Sequence, residues 1–182
     1  MTNERVNLYY DPSRNGYDTT IWKTVDWTPT LSTNKIDING ASMIGYDDFM
    51  SGDLIMSINI PAVPTTWDSR FFGFWQINNG SCVGFDITDD VFKAKIVDSN
   101  WVSILSDEIT WNSDWTAANT NFGVNWTWFS ADFYINDIKV ATIANVAWLK
   151  YPLSMYFKNS NTDVMSVFGI QVKNASMNRW GV

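Results

Sequence analysis

The chain has 182 residues, a formal net charge of −7 and no histidine. The length suits one domain with a substantial core, and the charge argues against nucleic acid or an anionic membrane as partner, since both attract basic patches. The missing histidine removes the commonest general acid/base, the Ser-His and Cys-His nucleophile pairs and the usual transition-metal ligand.

In chain order, residues 1–20 are polar, with Asp11-Pro12 and Asn15-Gly16 as turn signals. They read either as an N-terminal arm or edge segment, through Val6, Leu8, Tyr9 and Tyr10, or as a loose tail. Nothing there resembles the apolar core of a secretory signal, so synthesis without export is expected. No run approaches 18 apolar residues, so no insertion into a bilayer is expected. Residues 21–176 hold the ordered domain and 177–182 a polar tail. Ile36 and Ile38 alternate with Lys35 and Asp37 as a short strand, and Gly45-Tyr46-Asp47-Asp48 reads as a turn or loop. Leu54, Met56, Ile58 and Ile60 alternate with Asp53, Ser57 and Asn59 until Pro61 and Pro64 end the strand.

Residues 65–69 form a loop holding Trp67. Phe71 to Ile77 is almost continuously apolar, as in a strand covered on both faces. Asn78-Asn79-Gly80-Ser81 is a hairpin signal. Val83, Phe85 and Ile87 then alternate with Gly84, Asp86 and Thr88, and Asp89-Asp90 turns the chain into Phe92, Ala94 and Ile96. Trp101 to Leu105 and Glu108 to Trp111 read as further short strands. In the stretch from Asn121 to Thr142, Phe122, Val124, Trp126 and Trp128 share one parity and predict a buried face. Phe133 and Ile135 follow, then the Asn136-Asp137 turn, then Ile138, Val140 and Thr142. That is a β-meander. Leu153, Met155 and Phe157 make the next strand, and Val164, Ser166, Phe168, Ile170 and Val172 the last. No window holds a 3.6-residue period, so helix should be close to nil. Strands every ~8–12 residues with turns between them predict a single antiparallel β-sandwich or barrel.

Eleven Trp, eleven Phe and seven Tyr supply large burial on pleated surfaces. Cys82 is the only cysteine, which excludes an intramolecular disulfide; it reads as a small buried hydrophobe, or else as one half of an intermolecular bridge.

The stretch from Trp126 to Val140, with Phe133-Tyr134, Asn136-Asp137 and Val140, resembles the W-x-x-x-x-x-x-F-Y-x-[ND]-[DG]-x-x-V segment of concanavalin A-like β-sandwiches, especially the laminarinase- and agarase-type family 16 glycoside hydrolases. Other pieces follow in that family's order: Ser51-Gly52-Asp53-Leu54 with its closing Pro61, Phe71 to Ile77, Pro152 to Asn159 and Met165 to Val172. The resemblance spans roughly residues 20–176 and implies a concanavalin A-like jelly roll.

It also implies where chemistry should sit. Retaining members carry their acids on one strand, written G-E-I-D-[IV]-x-E, because double displacement needs two carboxyls ~5–5.5 Å apart. The matching strand here is Val83-Gly84-Phe85-Asp86-Ile87-Thr88-Asp89. Asp86 takes the middle position and Asp89 that of the acid/base, one methylene short of Glu. Gly84 takes the nucleophile's position and has no side chain. No catalytic residue is therefore assigned. Acids in a hairpin are otherwise ordinary turn formers.

Glycan binding is the functional reading that remains. Trp67, Trp75, Gln76, Asp86 and Asn125 should border the family's concave sheet, rings stacking on pyranoses and amides or carboxylates fixing hydroxyls; the plain alternative is that most of these tryptophans are core. Trp115 is a further candidate for exposure. Calcium is the one cofactor considered, with Asp47, Asp48 and Asp53, or Asp86, Asp89 and Asp90, as hard oxygen donors. The expectation from sequence is a non-enzymatic structural or adhesion domain on a virion or particle surface, assembling with copies of itself or with other subunits and touching glycans. A free-standing carbohydrate-binding module comes second and a glycan-degrading enzyme third.

Overall fold

The computed structural model describes residues 4–60, 67, 69–76, 78, 80–98, 100–112, 120–127, 130–144, 153–160 and 163–177. Its strands, in chain order, are β1 (Glu4–Tyr10), β2 (Trp22–Asp26), β3 (Thr30–Ser32), β4 (Lys35–Ile38), β5 (Ala41–Asn59), β6 (Ser69–Trp75) and β7 (Cys82–Thr88). There follow β8 (Val91–Val97), β9 (Ser103–Leu105), β10 (Thr120–Trp126), β11 (Ser130–Ile135), β12 (Ile138–Ala144), β13 (Leu153–Asn159) and β14 (Met165–Met177). The one helix among the described residues, α1 (Pro12–Asn15), is a single turn capped by the Asp11 side chain on the Ser13 N–H. No described helix is long and apolar enough to cross a membrane.

β5 organises the molecule. Its first part pairs with β2 on one side and β13 on the other, whereas its second part pairs with β10 and β14. It therefore runs from one layer into the other. Layer one is ordered β2-β5-β13-β6-β7-β8-β9. Layer two is ordered β12-β11-β10-β5-β14, with β1 and β4 both against β14 and β3 beyond β4. All of this pairing is antiparallel, and the two layers form a jelly-roll sandwich of the concanavalin A-like kind. The Gly45-Tyr46-Asp47-Asp48 loop expected from sequence is thus wrong. The segment stays extended because the Tyr46 N–H reaches the Ile21 carbonyl at 3.0 Å and Asp48 lies opposite Ser154.

Between the layers lies one aromatic core. Phe85 of β7 meets Phe122 of β10 and Phe133 of β11, each at 5.4 Å between ring centroids and edge-on. Phe72 meets Phe122 at 5.0 Å and Phe74 meets Trp126 at 5.3 Å. Edge-to-face pairs of this kind add to the burial that drives the layers together. The parity predicted for Phe122, Val124 and Trp126 holds, since all three are buried; Trp128 and Trp115 lie outside the described residues.

Elsewhere the parity slips at bulges, each inserting one residue on one strand. The pairing shifts between Phe133 and Tyr134, so the core side of β12 passes to Ala141 and Ile143, opposite Phe133 and Ala131, while Ile138, opposite Ile135 on this edge strand, is 70% exposed. On β14 it shifts between Val167 and Gly169, so Met165 and Val167 are buried before the bulge and Ile170 and Val172 after it. Val164, Ser166 and Phe168 are therefore not the core face. Residues 108–111 do not form the strand expected of them; the Ile109 N–H merely bonds to the Phe92 carbonyl at 2.8 Å. The N-terminal segment pairs as β1 along the edge of β14.

Candidate functional site

β6, β7 and β13 lie side by side in layer one, and alternate residues of each point away from the core. Across that outer face one row reads Lys158, Phe71, Asp86, Lys93; the next reads Tyr156, Gly73, Gly84, Lys95; a third reads Ser154, Trp75, Cys82, Val97. The strand that the resemblance singles out is therefore β7, with Gly84 and Asp86 both on this outer face.

Gly84 sits under a lid of its own neighbours. A Cβ built there would lie 2.6 Å from Phe71 Cζ, 2.6 Å from the Phe72 carbonyl oxygen and 3.0 Å from Gly73 Cα. The facing position is equally tight, since a Cβ on Gly73 would come within 2.5 Å of Gly84 Cα. Two glycines let the backbones touch, and the Phe71 ring occupies the volume a carboxylate would need.

Asp86 is half-buried and already engaged. Its Oδ1 accepts from Lys95 Nζ at 3.0 Å and its Oδ2 from Thr88 Oγ1 at 2.9 Å. Lys93 is directly opposite, but the ion pair forms with the diagonal Lys95, within reach of a long side chain. Asp89 takes a left-handed backbone (φ 54°) in the β7–β8 turn, and its Oδ1 accepts the Trp67 N–H at 3.1 Å. Trp67 itself is 85% exposed. That contact brings an open indole to the end of the strand that carries Asp86.

The rest of this face is apolar and closed. Phe71 and Trp75 meet edge-on at 5.2 Å, and Trp75 and Tyr156 at 5.4 Å. Phe71, Tyr156 and Ile44 are buried there, and Cys82 is wholly so, while Trp75 stays partly open. Burial pushes the Cys82 thiol up to about 12, so it remains protonated and unreactive. Burial likewise raises the Tyr156 phenol, with a Ser42 hydrogen bond opposing the effect.

Of the five residues expected to line the glycan site, Trp75 and Asp86 belong to layer one, and Trp67 is bonded to its β7–β8 turn. Gln76 closes the β6–β7 hairpin, its Oε1 accepting the Asn78 N–H at 2.6 Å. Asn125 lies elsewhere. β10 pairs with the second part of β5, which puts Asn125 on the outer face of layer two, where its amide donates to Asp53. The three aspartates considered for calcium are likewise dispersed: Asp48 accepts from Ser154 Oγ in layer one, while Asp53 is in layer two. Among the described residues no three His, Cys, Asp or Glu side chains gather as metal ligands would. Sequence reading missed Lys95, Tyr156 and the closed Gly73–Gly84 contact. Only Lys95 left a trace, in the Lys93/Lys95 alternation beside an acidic strand.

No family model matches the sequence, and no curated protein does. Solved structures share the fold. A native glycosidic hydrolase superposes with a TM-score of 0.73 at 13% identity, over 98% of this chain and 100% of its own. The Bacillus licheniformis β-glucanase gives 0.68 at 11% identity, over 92% and 97%. The laminarinase catalytic domain from Thermotoga maritima gives 0.67 at 9% identity, over 98% and 100%. The chain has the concanavalin A-like fold of family 16 glycoside hydrolases. The expectation of a virion or particle-surface assembly component is thereby corrected, because the solved structures named above are glycoside hydrolases and give no support to a particle role. A jelly roll supports many roles, and the sequence offered only that generic likeness to particle proteins.

Proposed function

We propose that this chain is a carbohydrate-binding protein that receives a β-linked glycan on the outer face of layer one and does not cleave it by double displacement. One observation carries the reading: at the nucleophile's position stands Gly84, covered by the Phe71 ring and the Phe72 carbonyl. The flanking groups suit sugar recognition. Trp67 offers an open indole for stacking, Trp75 a partly open one, and Asp86, held by Lys95, an oriented carboxylate for hydroxyls. The fold's occurrence in a β-glucanase and a laminarinase supports β-glucans as the first ligands to try.

The test is calorimetric titration with laminarin- and lichenan-derived oligosaccharides beside an assay for released reducing ends. Binding without release, weakened at least tenfold in Trp67→Ala or Trp75→Ala with the fold intact, is the expected result. Release of reducing ends that disappears in Asp86→Asn would replace the binding reading with an enzymatic one.

A further inference from the structure

The outer face of layer two is finished differently. One row crosses it at right angles to the strands. Tyr134 of β11 lies opposite Gly123 of β10, Gly123 opposite Ile55 of β5, Ile55 opposite Gln171 of β14, and Gln171 opposite Tyr9 of β1. The row spans four strand spacings, roughly 19 Å. Gly123 and Ile55 form a low floor, with a tyrosine at either end. Tyr134 is partly buried beside Gly123, and Tyr9 is 64% exposed.

Above this floor run two adjoining hollows of about 330 and about 450 Å³ that share Ile55, Asn121 and Asp137. One bank carries Asn125, Asp53 and Lys173, neighbours in register, with the Asn125 amide donating to Asp53. The other bank carries Asn121, whose N–H bonds to Asn136 Oδ1 at 2.9 Å. Two carboxylates, Asp53 and Asp137, stand with one ammonium, Lys173, so the groove disfavours a strong anion. Amides and carboxylates in pairs match vicinal hydroxyls, and tyrosine rings match the C–H faces of pyranoses. The positions are set by strand register, so the groove is pre-formed.

We propose that this groove is a second carbohydrate site, taking a neutral oligosaccharide laid across the strands of layer two. It shares the ligand class proposed for layer one but no residue with it. Both sites sit on one core yet open on opposite sides, so a single chain can hold two glycan strands at once.

The test is an amide-resolved NMR titration of the full chain with laminari-, cello- and agaro-hexasaccharides, followed by calorimetric stoichiometry. Shifts at Gly123, Ile55 and Gln171 are expected. So is at least tenfold weaker binding at this face in Tyr134→Ala, with the shifts around Asp86 retained. If Tyr134→Ala fails to fold, Tyr9→Ala at the exposed edge and the mapping on the unmodified chain decide the matter. Shifts confined to Gly84, Asp86 and Trp75 overturn this site and leave the layer-one reading standing. Shifts confined to the Gly123 row uphold it and remove the other. Shifts at the row that follow protein concentration without sugar assign the groove to a second copy of the chain and overturn the proposal, and silence of all three sugars at both faces overturns both sites.

Discussion

On the outer face of layer one, Phe71, Tyr156 and Cys82 are buried by one another and by their neighbours, and two glycines meet across β6 and β7. On the outer face of layer two, Asn121 and Asn125 are exposed and Gly123 leaves a trough beside Tyr134. Glycine thus does opposite things on the two sides. At Gly84 it lets aromatic rings and backbone close up; at Gly123 it keeps a floor low so that polar banks stand above it. What separates the packed centre of one face from the groove of the other is what the neighbouring side chains do with the space.

The largest effect should come from the core that both faces share. Phe85 touches Phe72, Phe92, Phe122 and Phe133 and so ties the layers together. Phe85→Ala should cost about 3–5 kcal/mol by denaturant unfolding and damage both faces alike. Damage to one face alone would mean the layers are separately stable. The glycines come next. Gly84→Ala should lose about 1–3 kcal/mol, because its Cβ meets the Phe72 carbonyl at 2.6 Å. Gly123→Ala, whose Cβ meets nothing nearer than Tyr134 Cβ at 3.3 Å, should lose less than about 1 kcal/mol by the same assay. Equal losses would erase the contrast drawn between the faces.

Cys82 reports on closure without a stability change. With its thiol raised to about 12 and wholly buried, it should resist alkylation at pH 8 in the folded protein and react promptly in denaturant. Prompt labelling of the native chain would show that the packed centre of layer one's face is open. The smallest effect belongs to the edge of layer two. Burial pushes the Asp37 carboxyl up, but hydrogen bonds from Ser166, Ser32 and Lys35 outweigh it and hold the group below its ordinary 3.8. A lowered value contributes stability above pH 3.8 that is lost as pH falls through the folded-state value. Asp37→Asn should therefore flatten acid unfolding in that range while leaving the Cys82 face unchanged.

Much of the sandwich was legible because burial repeats every second residue. Phe122, Val124 and Trp126 face inward as their alternation requires. The Asn136-Asp137 turn takes left-handed angles at both residues, φ 49° and 64°, as Asx residues tolerate. Bulges were not legible. Nothing in the run from Ile138 to Thr142 announces the extra residue that moves the core parity from Val140 and Thr142 to Ala141 and Ile143. The polar Gly45 to Asp48 segment looks like a turn because its partners, Ile21 and Ser154, are far away in sequence. The same non-local pairing hid the face on which Asn125 falls. Alternation says which residues share a face, but only strand partners say which sheet that face belongs to.

A ribbon of nineteen residues, β5, serves as a rib in both layers. Neither layer can be excised and kept, because removing one takes half the seam of the other. Trimming, splitting or grafting this protein must leave residues 41–59 whole, and any attempt to transplant one sugar-facing side onto another scaffold will carry the opposite side along with it.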